Sequence, residues 1–251
     1  MKAIVLMILL CVSAGICFAE VVVSDSLQQA AELGNAKAMY EIGMIYYDAM
    51  QNFETEEDLY IHWFQNAAAK EYPPSIYMLG FCYIMGYGVE TDTTEGLKLV
   101  RKAAALGNPE AEYYLGYCYE NEIGVEIDNA TALVHHKTAM DMGYLPAQIV
   151  VGRFYLNGLG VKADTATAKN LFLDAVNKGN GDGAYYLGDM YYNGRGVVKD
   201  EREAYFWYRL GMDLGSSSAS SFFGYITENF TDSQHEEYFN LYSKWKEDHH
   251  Y

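Results

Sequence analysis

Basic residues are scarce in this chain: 17 Lys and Arg stand against 34 Asp and Glu, a formal net charge of −17. Nucleic acid is a polyanion gripped by basic faces, so DNA and RNA are excluded as expected partners. Anionic lipid is disfavoured for the same reason, whereas a basic or neutral protein partner is not. Cysteine is nearly absent too, with four in the whole chain. No stretch reaches the roughly 18 consecutive apolar residues of a spanning helix, so no membrane span is expected in the mature chain. Missing as well are Gly-x-Ser-x-Gly, His-Glu-x-x-His and a Walker-type phosphate loop. No catalytic residue, cofactor or metal is therefore expected. What is present is apolar material, 51% of the residues, enough for a sizeable core and too much for a disordered chain.

Residues 1–19 read as a secretory signal peptide. Lys2 supplies the positive n-region, Ile4 to Val12 the apolar run, and Ser13, Ala14 and Gly15 follow. Cys17-Phe18-Ala19 then places small residues at −3 and −1 before Glu20. An uncleaved N-terminal anchor is the alternative. Neither Cys11 nor Cys17 has the small residue immediately before it that lipidation requires. The expected location is periplasmic or secreted.

A repeat runs through the rest. Gly80, Gly116, Gly152, Gly188 and Gly224 recur every 36 residues. The same period links Gly88, Gly124, Gly160 and Gly196, then Asp92, Asp128, Asp164 and Asp200, then Gly107, Gly143, Gly179 and Gly215. Each unit reads as helix, turn, helix. Pro109 suits the first turn of a helix, where its missing N–H costs nothing. Glycine ends the first helix at positive φ, and the Asp column caps the second. Asp92 with Glu95, and Asp200 with Glu203, are spaced to close capping boxes. Glycine in mid-helix costs about 1 kcal/mol against Ala, so its recurrence predicts close approach of the partner helix. That partner carries small residues at Gly96, Ala132, Ala168 and Ala204, and bulky ones at Trp63, Leu99, His135, Leu171 and Trp207. Such a unit buries its apolar face only by stacking on its neighbours.

The pattern Ala184-Tyr-Tyr-Leu-Gly188, Tyr192-Asn-Gly-Arg-Gly-Val197, Asp200, Ala204 and Trp207 resembles the Sel1-like repeat, a relative of the tetratricopeptide repeat. The resemblance covers roughly residues 26–245. It implies an all-α, right-handed superhelical solenoid of helix-turn-helix Sel1-like repeats. Residues 20–35 are expected as an N-terminal capping segment, 36–216 as five repeats, and 217–251 as a degenerate sixth repeat with a C-terminal capping helix. Unit three departs from the pattern with Glu122 at the first turn glycine and His135 in the Trp column. Unit one lacks the glycine-rich turn and has one extra residue before Trp63.

Several residue patterns suggest chemistry, each with a plainer explanation. His135 and His136 are adjacent, so they point about 100° apart on a helix and do not form an i, i+4 metal pair. Ser243-Lys-Trp-Lys246 matches Ser-x-x-Lys without its companion motifs, and Ser243 falls where a small helix-contact residue is expected. Cys82 and Cys118 occupy equivalent places in successive first helices, about 8–10 Å apart, beyond disulfide reach. They are expected as buried thiols. Some exported Sel1-like proteins carry a helix-linking cysteine pair in each repeat and a penicillin-binding or β-lactamase-like label; this chain has none of those pairs. A third reading implied by the resemblance is an assembly factor of an envelope complex. Asn129 and Asn229 head glycosylation sequons.

In the related tetratricopeptide fold the first helices line a concave groove, reached by residues two before and two after the Leu column. Carried over, those positions are Tyr40 and Met44, Tyr77 and Phe81, Tyr113 and Tyr117, Ile149 and Arg153, Tyr185 and Asp189. One turn later come Tyr47, Ile84, Glu120, Leu156 and Tyr192. The expected ligand-binding residues on this concave face are Tyr77, Phe81, Tyr113, Tyr117, Glu120, Arg153, Tyr185, Asp189 and Tyr192. Tyrosine offers large contact area at low entropy cost, so the ligand implied is a protein or peptide. The other account is that these rings pack repeat on repeat.

Overall fold

A computed structural model describes residues 6–11, 17–52, 59–228 and 230–251. Lys2, Ser13, Ala14 and Gly15 of the signal sequence, the loop at 53–58 ahead of Trp63, and sequon residue Asn229 lie outside them. Two compact units make up the chain, residues 1–127 and 128–251. The fold is all-α, the strands among the described residues being one antiparallel pair, β1 (Leu6–Cys11) and β2 (Cys17–Val22).

The first unit continues with α1 (Asp25–Glu32), α2 (Ala36–Asn52), α3 (Leu59–Ala68), α4 (Pro73–Met85), α5 (Thr93–Ala105) and α6 (Pro109–Asn121). Each helix packs on the next, α2 on α3 and α4 on α5 most closely. Its core holds Ile42, Phe64, Leu79, Val100 and Leu115. Cys82 and Cys118 are buried thiols in different apolar clusters, not joined in a disulfide, as the repeat spacing implies. Burial pushes the Cys118 thiol up to about 12, which leaves it inert as a nucleophile. The second unit comprises α7 (Asn129–Asp141), α8 (Leu145–Asn157), α9 (Thr165–Asn177), α10 (Gly181–Asn193), α11 (Glu201–Asp213), α12 (Ser217–Thr227) and α13 (Asp232–His249). One cluster built on Phe172, Leu187, Met190, Tyr205 and Trp207 fills it, closed by Tyr242 and Trp245 of α13.

The mid-helix glycines sit where a side chain has no room. A Cβ on Gly80 would lie 2.8 Å from the Gly96 carbonyl oxygen, and one on Gly188 would lie 2.7 Å from the Tyr208 ring. Gly224 breaks the column's logic, with nothing within 4 Å of its would-be Cβ. The reason is that α13 packs on α11 instead of lying across Gly224 as a second helix would.

Turns follow the columns closely. Gly86, Gly158 and Gly194 end α4, α8 and α10 in the left-handed region, and Glu122 holds the same conformation at the end of α6, with φ 59°. A non-glycine residue there costs about 1–2 kcal/mol, part of which glycine gives back through its freer unfolded chain. Glu122→Gly should therefore raise stability by about 0.5–1 kcal/mol. A lower urea midpoint for that variant would show the turn to be unstrained.

The Asp column caps as expected: Asp92 accepts from the Glu95 N–H, Asp164 from Thr167, and Asp128 and Asp200 from two N–H groups each. Hydrogen bonds from Thr131 and Thr167 hold the Asp128 and Asp164 carboxyls below the usual carboxylate range. The capping box expected at Asp92 does not close. The Asp92 N–H donates to the Tyr83 carbonyl at 2.9 Å, and the Glu95 carboxylate turns to Lys98. At Asp200 the N–H donates likewise to the Tyr191 carbonyl, and Asp164 does the same to Tyr155. The backbone donor that Glu203 would have met is already taken by the end of the preceding helix. A closed capping box, Thr231 with Gln234, opens α13.

Candidate protein-interaction face

Of each helical pair, the first helix carries the expected binding positions: α2, α4 and α6 in the first unit, α8 and α10 in the second. Ile84 and Leu156, expected on the groove face, are instead buried in the core, because their apolar side chains pack against the neighbouring helices. In the first unit the rings gather around a residue not singled out from sequence. Tyr114 is buried, and Tyr77 and Phe81 meet it edge-on at 6.0 and 5.4 Å. Tyr117 stacks on Tyr114 at 5.9 Å yet stays 43% exposed. Burial pushes the Tyr114 hydroxyl above its usual range. Tyr113 and Glu120 are half-buried on the same helix. Thus Tyr77 and Phe81 are partly absorbed into packing, while Tyr117 presents a ring to solvent.

In the second unit Arg153 on α8 lies over the Phe154 ring at 5.8 Å. Tyr185 on α10 meets Phe222 of α12 at 5.2 Å, and Phe222 stacks on buried Tyr208 at 5.7 Å. Burial, with Asp189 as the nearest charge, raises the Tyr185 hydroxyl. Asp189 accepts from Asn193 at 2.7 Å and from Arg195 at 3.1 Å, so its charge is met within the fold. Between α10 and α12 opens a cavity of about 570 Å³ lined by Asp189, Tyr192, Asn193, Ser221, Phe222 and Tyr225. Beyond it, sharing Tyr192 and Tyr225, lies a second cavity of about 350 Å³ with Glu201, Glu228 and Phe230 in its walls. The structure therefore brings Asp189 and Tyr192 together at a concavity and adds Phe222 and Tyr225 to it. The rule of two before and two after, applied to Phe223 in the sixth unit, points to Ser221 and Tyr225.

His136 is 1% exposed, edge-on to Phe154 at 5.5 Å. Ser243 is exposed, not a helix contact as expected, because α13 turns Tyr242 and Trp245 inward on either side of it; its hydroxyl donates to the Phe239 carbonyl at 3.1 Å. Among the described residues there is no group of three or more side chains placed to hold a metal.

The Sel1 repeat family model matches residues 36–50, 73–108, 109–144, 145–180 and 181–216, well over half of the sequence. The chain belongs to the Sel1 repeat family. A solved Sel1 repeat protein from Oxalobacter formigenes is similar over 87% of this chain and 94% of its own, with TM-score 0.70 and 27% identity. A protective antigen from uropathogenic Escherichia coli, described as having the same fold, is similar over 88% of this chain and 56% of its own, with TM-score 0.55 and 26% identity. In sequence, 62 residues are 39% identical to an ERAD-associated E3 ubiquitin-protein ligase component, HRD3A, of Arabidopsis thaliana. That match takes in 25% of this chain and 9% of the plant protein. Sel1 repeat proteins are in general scaffolds for protein–protein interaction, and this chain has their all-α solenoid fold. No helix among the described residues is long and apolar enough to cross a membrane.

Proposed function

We propose that this Sel1 repeat protein is exported and serves as a scaffold, binding a protein or peptide ligand on the face presented by the first helices of its repeats. The observation that carries this reading is the solvent-open, aromatic-walled cavity between α10 and α12, formed at repeat positions where tetratricopeptide relatives meet their ligands. Tyr117 supports it from the first unit, a large ring held by Tyr114 on one side and open on the other. The leader sequence supports export, and the net charge of −17 favours a basic partner. Truncating a binding hot spot typically costs about 2 kcal/mol, roughly thirtyfold in affinity. Replacing Tyr113 and Tyr117 together by Ala should weaken capture of partners from the native envelope fraction by that order, with helical content unchanged. Equal capture by both forms would show that the first unit's part of this face does not bind.

A further inference from the structure

The two cavities of the second unit differ in character and share a wall, which constrains what fits them. The larger is aromatic. Phe222 is fixed from behind by Tyr185 and Tyr208, so its exposed edge is preorganised and loses little entropy on binding. Tyr225 is 64% exposed, with Phe222 its ring neighbour at 6.5 Å. A tyrosine so placed contributes little to the core. The one carboxylate here, Asp189, is already met by Asn193 and Arg195. This cavity therefore suits an apolar ring.

The smaller cavity is anionic. Glu228 stands directly after α12, where the helix carbonyls add partial negative charge. Glu201 faces the same space. Its ion pair with Lys199, at 3.0 Å, joins two well-exposed side chains, an arrangement that holds weakly and exchanges readily. A cation entering there gains two carboxylates and a helix terminus. Because Tyr192 and Tyr225 border both cavities, two side chains close together on one extended segment reach both.

We propose that these cavities receive one short extended segment of a basic partner protein, with an aromatic or large aliphatic side chain in the first and a lysine or arginine one or two positions away in the second. The assignment rests on the scaffold reading above and names the chemistry of its ligand.

The test is selection of displayed random linear peptides on the full chain, followed by titration of synthetic copies of those enriched. Enriched sequences should pair an aromatic or large aliphatic residue with a nearby Lys or Arg. Their affinity should fall about tenfold or more with Tyr225→Ala, and severalfold with Glu228→Gln or added salt. Both positions are exposed, so the variants should keep the wild-type melting curve. Peptides that lack the pairing, or that bind both variants as well as wild type, would overturn the assignment. If such peptides lose binding with Tyr117→Ala instead, the scaffold reading survives and this site alone falls. Failure to enrich any peptide counts against both. A dimer of the chain abolished by Tyr225→Ala would hand the face to a second copy and also overturn the proposal.

Discussion

Replacing Gly80 by leucine should destabilise the first unit by about 3 kcal/mol, the upper part of the usual range for overpacking. The obstruction is backbone. A Cβ on Gly80 would stand 2.8 Å from the Gly96 carbonyl oxygen, and one on Gly96 would stand 2.7 Å from that of Gly80. Neither oxygen can rotate away, so α4 and α5 must separate and their shared apolar contacts loosen. The same column offers its own control. Gly224 is helical with nothing near its would-be Cβ, so Gly224→Ala should gain up to about 1 kcal/mol from helix propensity. Urea unfolding of the two variants should move the midpoint in opposite directions. A shift of the same sign in both would falsify the account of the glycine column as space left for a neighbouring helix.

The second large effect lies at the other end of the chain. Trp245 is 6% exposed, and its ring meets Trp207 edge-on at 4.9 Å and Phe206 at 5.7 Å. Tyr242, one turn earlier, anchors α13 further by donating to Asp213 at 2.8 Å. Trp245→Ala should cost about 3–5 kcal/mol, the range for removing a large buried ring. Phe239 on the same helix is half exposed, and Phe239→Ala should stay within about 0.5 kcal/mol. The melting temperature separates the two cases. Equal small losses would mean that α13 is an appendage and not the lid of the second core.

The fold was readable because each column answers to one local demand. A mid-helix glycine says that a neighbour comes close; an Asp after a Gly-x-Gly turn says that a helix begins. What the columns hid were the places where distant atoms compete for one group. Asp92 and Glu95 have capping-box spacing, but the N–H that the box needs is claimed by Tyr83, nine residues back and across a turn. Gly224 kept its place in the register after the helix that should cross it had gone elsewhere. The candidate site was partly readable for a related reason. Spacing places Tyr77, Phe81 and Tyr117 on equivalent faces of α4 and α6, yet it does not say that Tyr114 draws two of those rings into packing. Tyr192 and Asp189 were found by position. Phe222 and Tyr225 were missed because the sixth unit, with its shorter loop, looked like an end and not like a wall of the site.

The glycines after the second helices, Gly34, Gly107, Gly143, Gly179 and Gly215, all have positive φ and nothing within 4 Å of a would-be Cβ. They serve the bend alone, and the residue that follows often caps the next helix, as Asn108 and Asn180 do. Each unit closed by such a glycine thus ends at a turn where the glycine itself meets no neighbouring side chain. A gene encoding such a chain can gain or lose one 36-residue segment between two of these glycines, by unequal crossing-over, and keep a glycine turn at each junction. The length of the proposed binding face is then open to selection independently of the residues that line it.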